Sequence, residues 1–391
     1  MSAPIVQGWC PGALRPMMSG DGLVVRVRPR GGRLTPDQAR GIAELSARHG
    51  NGLIDLSARA NVQLRGVSEA AHGPLIAGLS ALGLIDETTE AESRRNIVVT
   101  PFWQDGDGVQ GIVTALAAAL TAPGAPATPG KFGYAVDCGA EPVLSGVSAD
   151  IRIEAMPGGL LVRADGAGTG ARATAETVAD RALDLAHWFL ATGGAPQGRG
   201  RMSAHIARGA VLPETFREAP ALPRAITPPP APGPAGPGYL VAFEFGQMRG
   251  ETLAALADAG ALRVTPWRML LIEGAAQAPR APSLITDPDD PMLRVTACTG
   301  TPGCPQALIA TRPLARALAP ALPTGSVLHV SGCAKGCAHP GLAPRTLVGR
   351  VDGSVDLILG GTAADTPAAT GLSPDTLAAH PASLFETQDA P

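Results

Sequence analysis

Four of the six cysteines fall into one group near the C-terminal end of the chain, Cys298-x5-Cys304 and Cys333-x3-Cys337. Zinc sites favour C-x2-C pairs, because one tight turn sets two sulfurs at the spacing of a small tetrahedral ion. Neither pair here has that spacing. An iron-sulfur cluster is larger and accepts thiolates from two separate loops. The quartet is therefore interpreted as a cluster site and indicates redox chemistry at iron, the alternative being four buried structural cysteines.

Local signals around the quartet agree with a cluster site. Pro305 predicts a helix that begins there, which would place Cys304 near a helix N-terminus, where the amide dipoles favour a thiolate. A strand over 327–330 is predicted to deliver Cys333 and Cys337 on a tight loop. Glycines inside that loop, at 332 and 336, permit such tight folding.

Cationic side chains are the second candidate for chemistry. Only two of the 31 basic residues are lysines, Lys131 and Lys335, which makes both candidates for sites that need a compact ammonium. In the strand predicted over 24–28, period-two alternation puts Arg26 and Arg28 on one face. The predicted carboxylate-binding residues are Arg26, Arg28, Arg59, Gln63, Arg65 and Arg268, and the candidate catalytic cations are Lys131, Arg95 and Lys335. Together they predict a cavity for a polycarboxylate, since guanidinium groups match carboxylate geometry; the alternative is that most are solvated surface residues.

A duplicated unit is predicted to position these residues. Residues 219–238 hold eight prolines and predict a connector that forms neither a helix nor an inner strand. Before the connector come a strand over 24–28, a helix over 36–49 and extended chain from 52 to about 66. After it come a strand over 239–245, a helix over 251–259 and extended chain from 260 to about 274. Gly52 aligns with Gly260 without gaps, so the sequence predicts a pseudo-twofold repeat.

Further elements follow each repeat. Thr35 is a predicted N-cap and Gly50 a predicted stop for the first helix. Strands over 151–155 and 159–163 predict a hairpin, followed by a helix over about 175–190. The chain closes with a hairpin over 346–351 and 355–359 and a tail after 362 that is expected to be loosely held. The run from Gly166 to Ala171 matches the spacing of a dinucleotide fingerprint, but its preceding strand belongs to a hairpin and it is interpreted as a loop.

Composition sets outer bounds on function. The net charge of −3 argues against nucleic acid as a partner. Because no run of 18 apolar residues and no signal sequence appears, we expect a soluble cytoplasmic protein without a membrane partner. Reduced thiols fit that compartment. Cys10 and Cys138 are interpreted as buried thiols, although Cys10 could line a site.

Together these features resemble the sulfite and nitrite reductase superfamily over nearly the whole chain. The matching motifs are Arg26-Val-Arg28 with Gly31-Gly32, Ser57-Ala-Arg59-Ala-Asn-Val-Gln63, Arg95-Asn96, Gly130-Lys131-Phe132 and His329-Val-Ser-Gly-Cys333. Within the superfamily the chain looks most like the precorrin-3B synthase family, on Cys10-Pro-Gly, Pro16-Met17, Gly20-Asp-Gly22 and Gly50-Asn-Gly52. Where the reductases carry a second substrate-binding lysine this chain has Gly133, where they favour asparagine it has Lys335, and where they have arginine it has His339.

The resemblance implies an α+β fold in which duplicated ferredoxin-like half-domains join two mixed α/β domains of the reductase type. The implied units are a half-domain over 1–88, an α/β domain over 89–218, the linker over 219–238, a second half-domain over 239–290 and a cluster-binding domain over 291–391.

The implied activity is that of a monooxygenase of cobalamin biosynthesis. Precorrin-3A, a polycarboxylated tetrapyrrole, is hydroxylated with O2 at the methine carbon between rings A and D, and the ring A acetate closes a lactone. The resemblance also implies a [4Fe-4S] cluster on the quartet, a mononuclear non-haem iron, and a separate NADH-linked reductase as electron donor. Candidate iron ligands are His205, His329 and His339. The alternatives are a siroheme-dependent sulfite or nitrite reductase, in which Cys337 would bridge to the haem iron, and an electron-transfer iron-sulfur protein.

Overall fold

The structure, a computed structural model, describes residues 10–222 and 228–386. Within these ranges the strands are β1 (Met17–Ser19), β2 (Gly22–Val27), β3 (Arg33–Leu34), β4 (Leu53–Leu56), β5 (Val62–Val67), β6 (Ile97–Val99), β7 (Tyr134–Asp137), β8 (Ile151–Met156), β9 (Gly159–Ala164), β10 (Thr169–Ala173), β11 (Ala219–Pro220), β12 (Gly233–Ala235), β13 (Gly238–Ala242), β14 (Gln247–Arg249), β15 (Leu262–Val264), β16 (Met269–Glu273), β17 (Val295–Ala297), β18 (Leu328–Ser331), β19 (Ala343–Gly349), β20 (Val355–Gly361) and β21 (Ala369–Leu372). The α-helices are α1 (Pro36–His49), α2 (Glu69–Ala81), α3 (Thr89–Arg94), α4 (Val109–Thr121), α5 (Val178–Ala191), α6 (Met202–Ala207), α7 (Gly250–Ala257), α8 (Thr311–Leu318), α9 (Pro374–Ala379) and α10 (Ser383–Glu386).

Two antiparallel sheets carry the duplication. Their strand orders are β1-β2-β5-β4-β14 and β12-β13-β16-β15-β3. The last strand of each sheet comes from the other copy, since β14 pairs with β4 and β3 pairs with β15. The predicted pseudo-twofold repeat is therefore confirmed, and it includes a reciprocal exchange of strands that the sequence did not reveal.

One hydrophobic core joins the two sheets and the helices α1, α2 and α7. It contains Val25 and Ile54 from the first sheet and Val241 and Leu270 from the second. The predicted bounds of α1 are confirmed: the Thr35 hydroxyl accepts from the backbone of Gln38, and the Gln38 side chain accepts from the backbone of Thr35. This capping box satisfies amide donors that the first helical turn leaves unpaired.

Two mixed sheets complete the α+β fold. The third sheet has the order β11-β10-β9-β8-β7-β6, and the fourth β17-β18-β19-β20-β21. The predicted hairpins β8–β9 and β19–β20 are confirmed. The run from Gly166 to Ala171 covers the turn between β9 and β10 and the first residues of β10. Among the described helices, none combines the length and apolar character needed to cross a bilayer.

The connector and the tail differ in part from expectation. The ends of the connector form only the edge strands β11 and β12, and residues 223–227 lie outside the described ranges. The expectation that the chain after residue 362 is loosely held is wrong for the described residues up to Glu386, because Leu377 and Leu384 are buried in the core of the fourth sheet.

The predicted helix at Pro305 is also wrong. The backbone amide of Leu308 donates to the carbonyl of Gly332 on the neighbouring loop, so it is not available for a helical bond, and α8 begins only at Thr311.

Candidate functional site

A cavity of about 560 Å³ lies between the first sheet and the cysteine loops. Among the described residues that line it, six carry a cationic side chain and one carries a carboxylate, Asp55. We call this space the cationic cavity; its cations are Arg26, Arg59, Lys131, Arg201, Arg268 and Arg312. So strong an excess of fixed positive charge suits a ligand that bears several carboxylates.

Four residues on adjacent strands of the first sheet lie directly opposite one another at this cavity. Arg26 pairs with Gln63, Gln63 with Asp55, and Asp55 with Gln247. Arg26 Nε and Nη2 donate to Gln63 Oε1 at 3.0 and 2.6 Å, and Gln247 Nε2 donates to Asp55 Oδ1 at 2.7 Å. We call these four residues the polar row. Because Gln247 lies on the exchanged strand β14, the row needs both copies of the repeat.

Burial lowers the pKa values of Arg26, Arg59, Arg268 and Arg312 below the ordinary arginine value. Arg59 is half-buried, and no described residue accepts a hydrogen bond from its guanidinium. Arg312 Nε is likewise buried without a partner in the described structure. An arriving carboxylate therefore meets cations that have already lost water and still have donors to offer.

Arg268 and Phe245 separate the cationic cavity from a second cavity of about 510 Å³ that is partly lined by Trp267 and Met269. Arg268 and Phe245 both adopt left-handed backbone, with φ of 62° at Arg268 and 57° at Phe245. Gly246 leaves the necessary room, since a Cβ there would lie 2.5 Å from the Cβ of Arg268. Strained backbone at a non-glycine residue is typical of functional sites, and here it holds Arg268 between the two cavities.

Lys131 and Arg201 line both the cationic cavity and an adjoining recess of about 170 Å³. Lys131 is exposed. Arg201 is fixed by hydrogen bonds from Nε to Asp150 Oδ1 at 2.9 Å and from Nη2 to Ser148 Oγ at 2.9 Å. Of these two cations, only Arg201 is held in place by hydrogen bonds to described side chains.

Parallel strands bring the cysteine loops together. Cys298 directly follows β17 and Cys333 lies just beyond β18, and parallel neighbouring strands end at the same edge of a sheet. The backbone amide of Gly332 donates to Cys298 Sγ at 3.2 Å. A Cβ at Gly332 would lie 2.7 Å from the Cβ of Ala307, so this position requires glycine.

The sulfurs of the quartet influence one another. Burial raises the pKa of the Cys337 thiol, Lys335 opposes that change, and the other three thiols of the quartet add to it. Among the described residues, no three His, Cys, Asp or Glu side chains converge closely enough for a single metal ion. Four thiols on two loops, with an amide already donating to one sulfur, fit a multi-iron cluster.

Two predicted site residues lie apart from the cationic cavity. Arg95 is buried in an ion pair with Asp86, with Nη2 to Oδ2 at 2.8 Å. Arg28 Nη1 donates to the backbone carbonyl of Glu92 at 2.8 Å, and burial lowers the pKa of Arg28 to about 10. The predicted alternation does not reach Arg28 because β2 ends at Val27. Both arginines line a different cavity.

Arg65 and Lys335 also differ from the predicted picture. The Arg65 guanidinium is buried against Asp21, with Nη2 to Oδ1 at 2.7 Å, and it reaches the carbonyl of Gly303 at 3.2 Å. It therefore braces the cysteine loop against the first sheet. Lys335 lies on the loop between Cys333 and Cys337 and is not among the residues that line the cationic cavity. The roles predicted for Arg28, Arg65, Arg95 and Lys335 stay predictions.

Sequence reasoning missed Asp55, Arg201 and Arg312. Asp55 could have been found, because it precedes Ser57-Ala-Arg59 and alternates with Ser57 on one strand face. Arg201 and Arg312 carry no comparable signal, since distant turns of the chain bring them to the cavity. Cys10, which the sequence left open, does line it and lies close enough to Arg26 to interact electrostatically with its guanidinium.

The three candidate histidines do not converge on one site in the described structure. His329 is fully buried with both ring nitrogens unpartnered, and burial lowers its pKa to about 4. Its ring lies 5.7 Å from that of His339. His205 instead contacts the hydroxyl of Thr192 at 2.8 Å.

Known proteins resemble this chain in sequence and in fold. A family model described as the nitrite/sulfite reductase ferredoxin-like half domain matches residues 15–82. A precorrin-3B synthase from Sinorhizobium sp is 32% identical over an alignment of 403 residues that covers 94% of this chain and 86% of that protein. The structure of the NirA protein of Mycobacterium tuberculosis matches with a TM-score of 0.62 at 18% identity, over 91% of this chain and 79% of that one. At that identity the structural likeness shows the fold.

Proposed function

The chain belongs to the precorrin-3B synthase family, and we propose that it hydroxylates precorrin-3A with O2 and closes a lactone from the ring A acetate. In this reaction one oxygen atom enters the methine carbon between rings A and D. The second oxygen atom leaves as water with two electrons and two protons. The double bond between the methine carbon and the adjacent ring A carbon opens, the ring carbon bonds to the acetate oxygen, and the proton of the acetic acid group stays on the new hydroxyl, so the product gains one oxygen atom overall.

The cationic cavity is the observation that carries the proposal. Its six cations are arranged around space for a ligand that presents carboxylates in several directions. Arg26 is oriented by Gln63, and Arg268 by the carbonyl of Ala338 at 3.1 Å. These side chains bind and orient the acetates and propionates of the substrate. Charged donors fixed before the ligand arrives need no reorganisation when it binds.

The cysteine quartet borders the same cavity through Cys298 and Cys337. A [4Fe-4S] cluster held by the four thiols would supply electrons, one at a time, beside the bound tetrapyrrole. We propose that a separate NADH-linked reductase delivers these electrons. The antiparallel hairpin that contains Gly166 supports this, because a dinucleotide fingerprint requires a strand followed by a helix.

Gly133 supports this assignment over a siroheme-dependent sulfite or nitrite reductase. A Cβ at Gly133 would lie 2.7 Å from Asn96 Nδ2, and that amide group donates to the carbonyl of Phe132. A lysine here would have to break this buried hydrogen bond. The chain therefore cannot offer a small anion the second lysine of the reductases without rearrangement.

Anaerobic purification followed by turnover tests the proposal. We expect a broad iron-sulfur absorption without siroheme bands. Incubation with precorrin-3A, a chemical reductant and ¹⁸O2 should give a product heavier by one labelled oxygen atom. Strong siroheme bands in the isolated protein, or a product without the label, would contradict the proposal.

A further inference from the structure

The two copies of the repeat differ at the polar row. The alignment of Gly52 with Gly260 places Gln63 over Leu271 and Asp55 over Arg263. The residues equivalent to Arg26 and Gln247 are those paired with these two in the second sheet. The equivalents of Arg26, Gln63, Asp55 and Gln247 in the second sheet are Leu240, Leu271, Arg263 and Arg33. Only the first sheet therefore carries a carboxylate at this position.

In the second sheet, the two arginines at the equivalent positions form hydrogen bonds within the protein. Arg263 Nε and Arg33 Nε both donate to Glu273 Oε1, at 2.7 and 2.8 Å. Arg263 also donates to the backbone carbonyls of Pro101 and Trp103. These arginines are committed to partners within the protein, which suits a structural role for the second row.

Asp55 is in the opposite situation. It is 7% exposed, and Gln247 makes the one hydrogen bond that its carboxylate receives among the described residues. Arg65 and Arg312 approach its carboxylate only to 3.7 Å. An ionised carboxylate offers about four acceptor positions. Asp55 therefore keeps acceptor capacity toward the cationic cavity that it lines.

A carboxylate in a cavity built for carboxylates lowers the affinity for an anionic ligand unless it meets a donor on that ligand. Like charges at close range repel, and the repulsion is stronger at a desolvated site. A polycarboxylated tetrapyrrole carries its negative charge at its edge. Its donors are the N–H groups at the centre of the ring, and these are lost when a metal ion occupies the centre.

We propose that Asp55 accepts a hydrogen bond from the ring N–H groups of a metal-free tetrapyrrole, and so makes the cavity select the metal-free ligand over its iron complex. The inference rests on the proposed function, since it takes a tetrapyrrole as the ligand. It assigns to Asp55 a specificity role that the six cations cannot supply, because they face the same peripheral carboxylates in both ligands.

A matched pair of probes tests the inference: siroheme and its metal-free parent, sirohydrochlorin, which differ only in that iron replaces the two central N–H protons. Each is titrated into the purified protein and followed by its visible absorption. A hydrogen bond to a charged acceptor corresponds to about 10- to 100-fold in affinity. We expect the parent protein to bind the metal-free probe at least about tenfold more tightly, and D55N to reduce this ratio about tenfold.

D21N is the matched control, because Asp21 also pairs with Arg65 but does not line the cavity. It should leave the ratio of the two affinities unchanged. D55S provides a second variant if D55N does not fold. Equal weakening of both probes by D55N, or an unchanged ratio in D55N and D55S, would overturn the inference and leave the proposed function standing. If the parent protein binds neither probe, the proposed function itself fails.

Discussion

Replacing Arg59 by alanine should weaken substrate binding with little effect on stability. The Arg59 guanidinium lines the cationic cavity, and no described residue accepts a hydrogen bond from it. Its removal therefore leaves no described group unpaired, and we expect the free energy of unfolding to change by less than about 0.5 kcal/mol. A lost charge-assisted hydrogen bond to a carboxylate costs about 1.5–3 kcal/mol, which raises the dissociation constant about 10- to 100-fold.

Arg65→Ala is the matched comparison. Arg65 is buried against Asp21 and lies near Asp55, so its loss leaves carboxylates uncompensated and should cost about 3–5 kcal/mol of stability. The assays are urea unfolding and absorbance titration with sirohydrochlorin, both applied to each variant. Binding by Arg59→Ala within twofold of the parent protein would refute the assignment of Arg59 as a carboxylate ligand. A larger stability loss for Arg59→Ala than for Arg65→Ala would refute the distinction between the two arginines.

Three further predictions follow from single contacts. Gly133→Lys should lower the free energy of unfolding by about 1–3 kcal/mol in urea, because it displaces the buried amide of Asn96, and a stability equal to the parent would contradict the crowding described at that position. Burial lowers the pKa of His329 in the folded protein to about 4. As the pH falls below about 6.5, the imidazole is therefore protonated in the unfolded chain before it is protonated in the folded protein. The free energy of unfolding of the parent protein should therefore fall by about 2 kcal/mol between pH 7 and pH 5. In His329→Leu this contribution is absent, so its free energy of unfolding should fall by about 2 kcal/mol less over the same range, as measured by paired unfolding curves. Thr35→Ala removes one bond of the capping box and should cost about 1 kcal/mol by the unfolding midpoint, whereas Gln38→Ala, which removes the reciprocal bond, should also destabilise.

Local sequence signals were sufficient for much of the fold. The capped helix α1, the hairpins β8–β9 and β19–β20 and the alignment of the two repeats all depend on neighbouring residues or on direct comparison within the chain. The exchange of β3 and β14 could not be read in this way, because each is only two or three residues long and finds its partner in the other copy. The helix expected at Pro305 failed for the same reason: a distant carbonyl, that of Gly332, takes the amide of Leu308.

The candidate site was predictable where strand alternation placed side chains. Arg26, Arg59 and Gln63 were found from the period of two and from the family motifs, and the structure places all three at the cationic cavity. The alternation of side chains along a strand does not show which residues from other parts of the chain will contact them. Arg65 shares a face with Gln63, yet Asp21 from the β1–β2 turn takes its guanidinium. Sequence spacing therefore identified candidate cations but could not separate those that line the cationic cavity from those that pair with carboxylates of the protein itself.

Each exchanged strand adds one residue to the row of the sheet that it joins. In each sheet the fourth position of the row is supplied by the other copy, so that copy contributes to the pairing within the row. Arg33 on β3 brings a second arginine to Arg263, and Glu273 binds both. Gln247 on β14 brings only a neutral amide to Asp55, and this one hydrogen bond leaves part of the acceptor capacity of the carboxylate unused among the described residues. The duplicated chain thus keeps one row whose two arginines are paired by Glu273 and one row whose carboxylate lines the cationic cavity, and all four positions of the row differ between the two sheets.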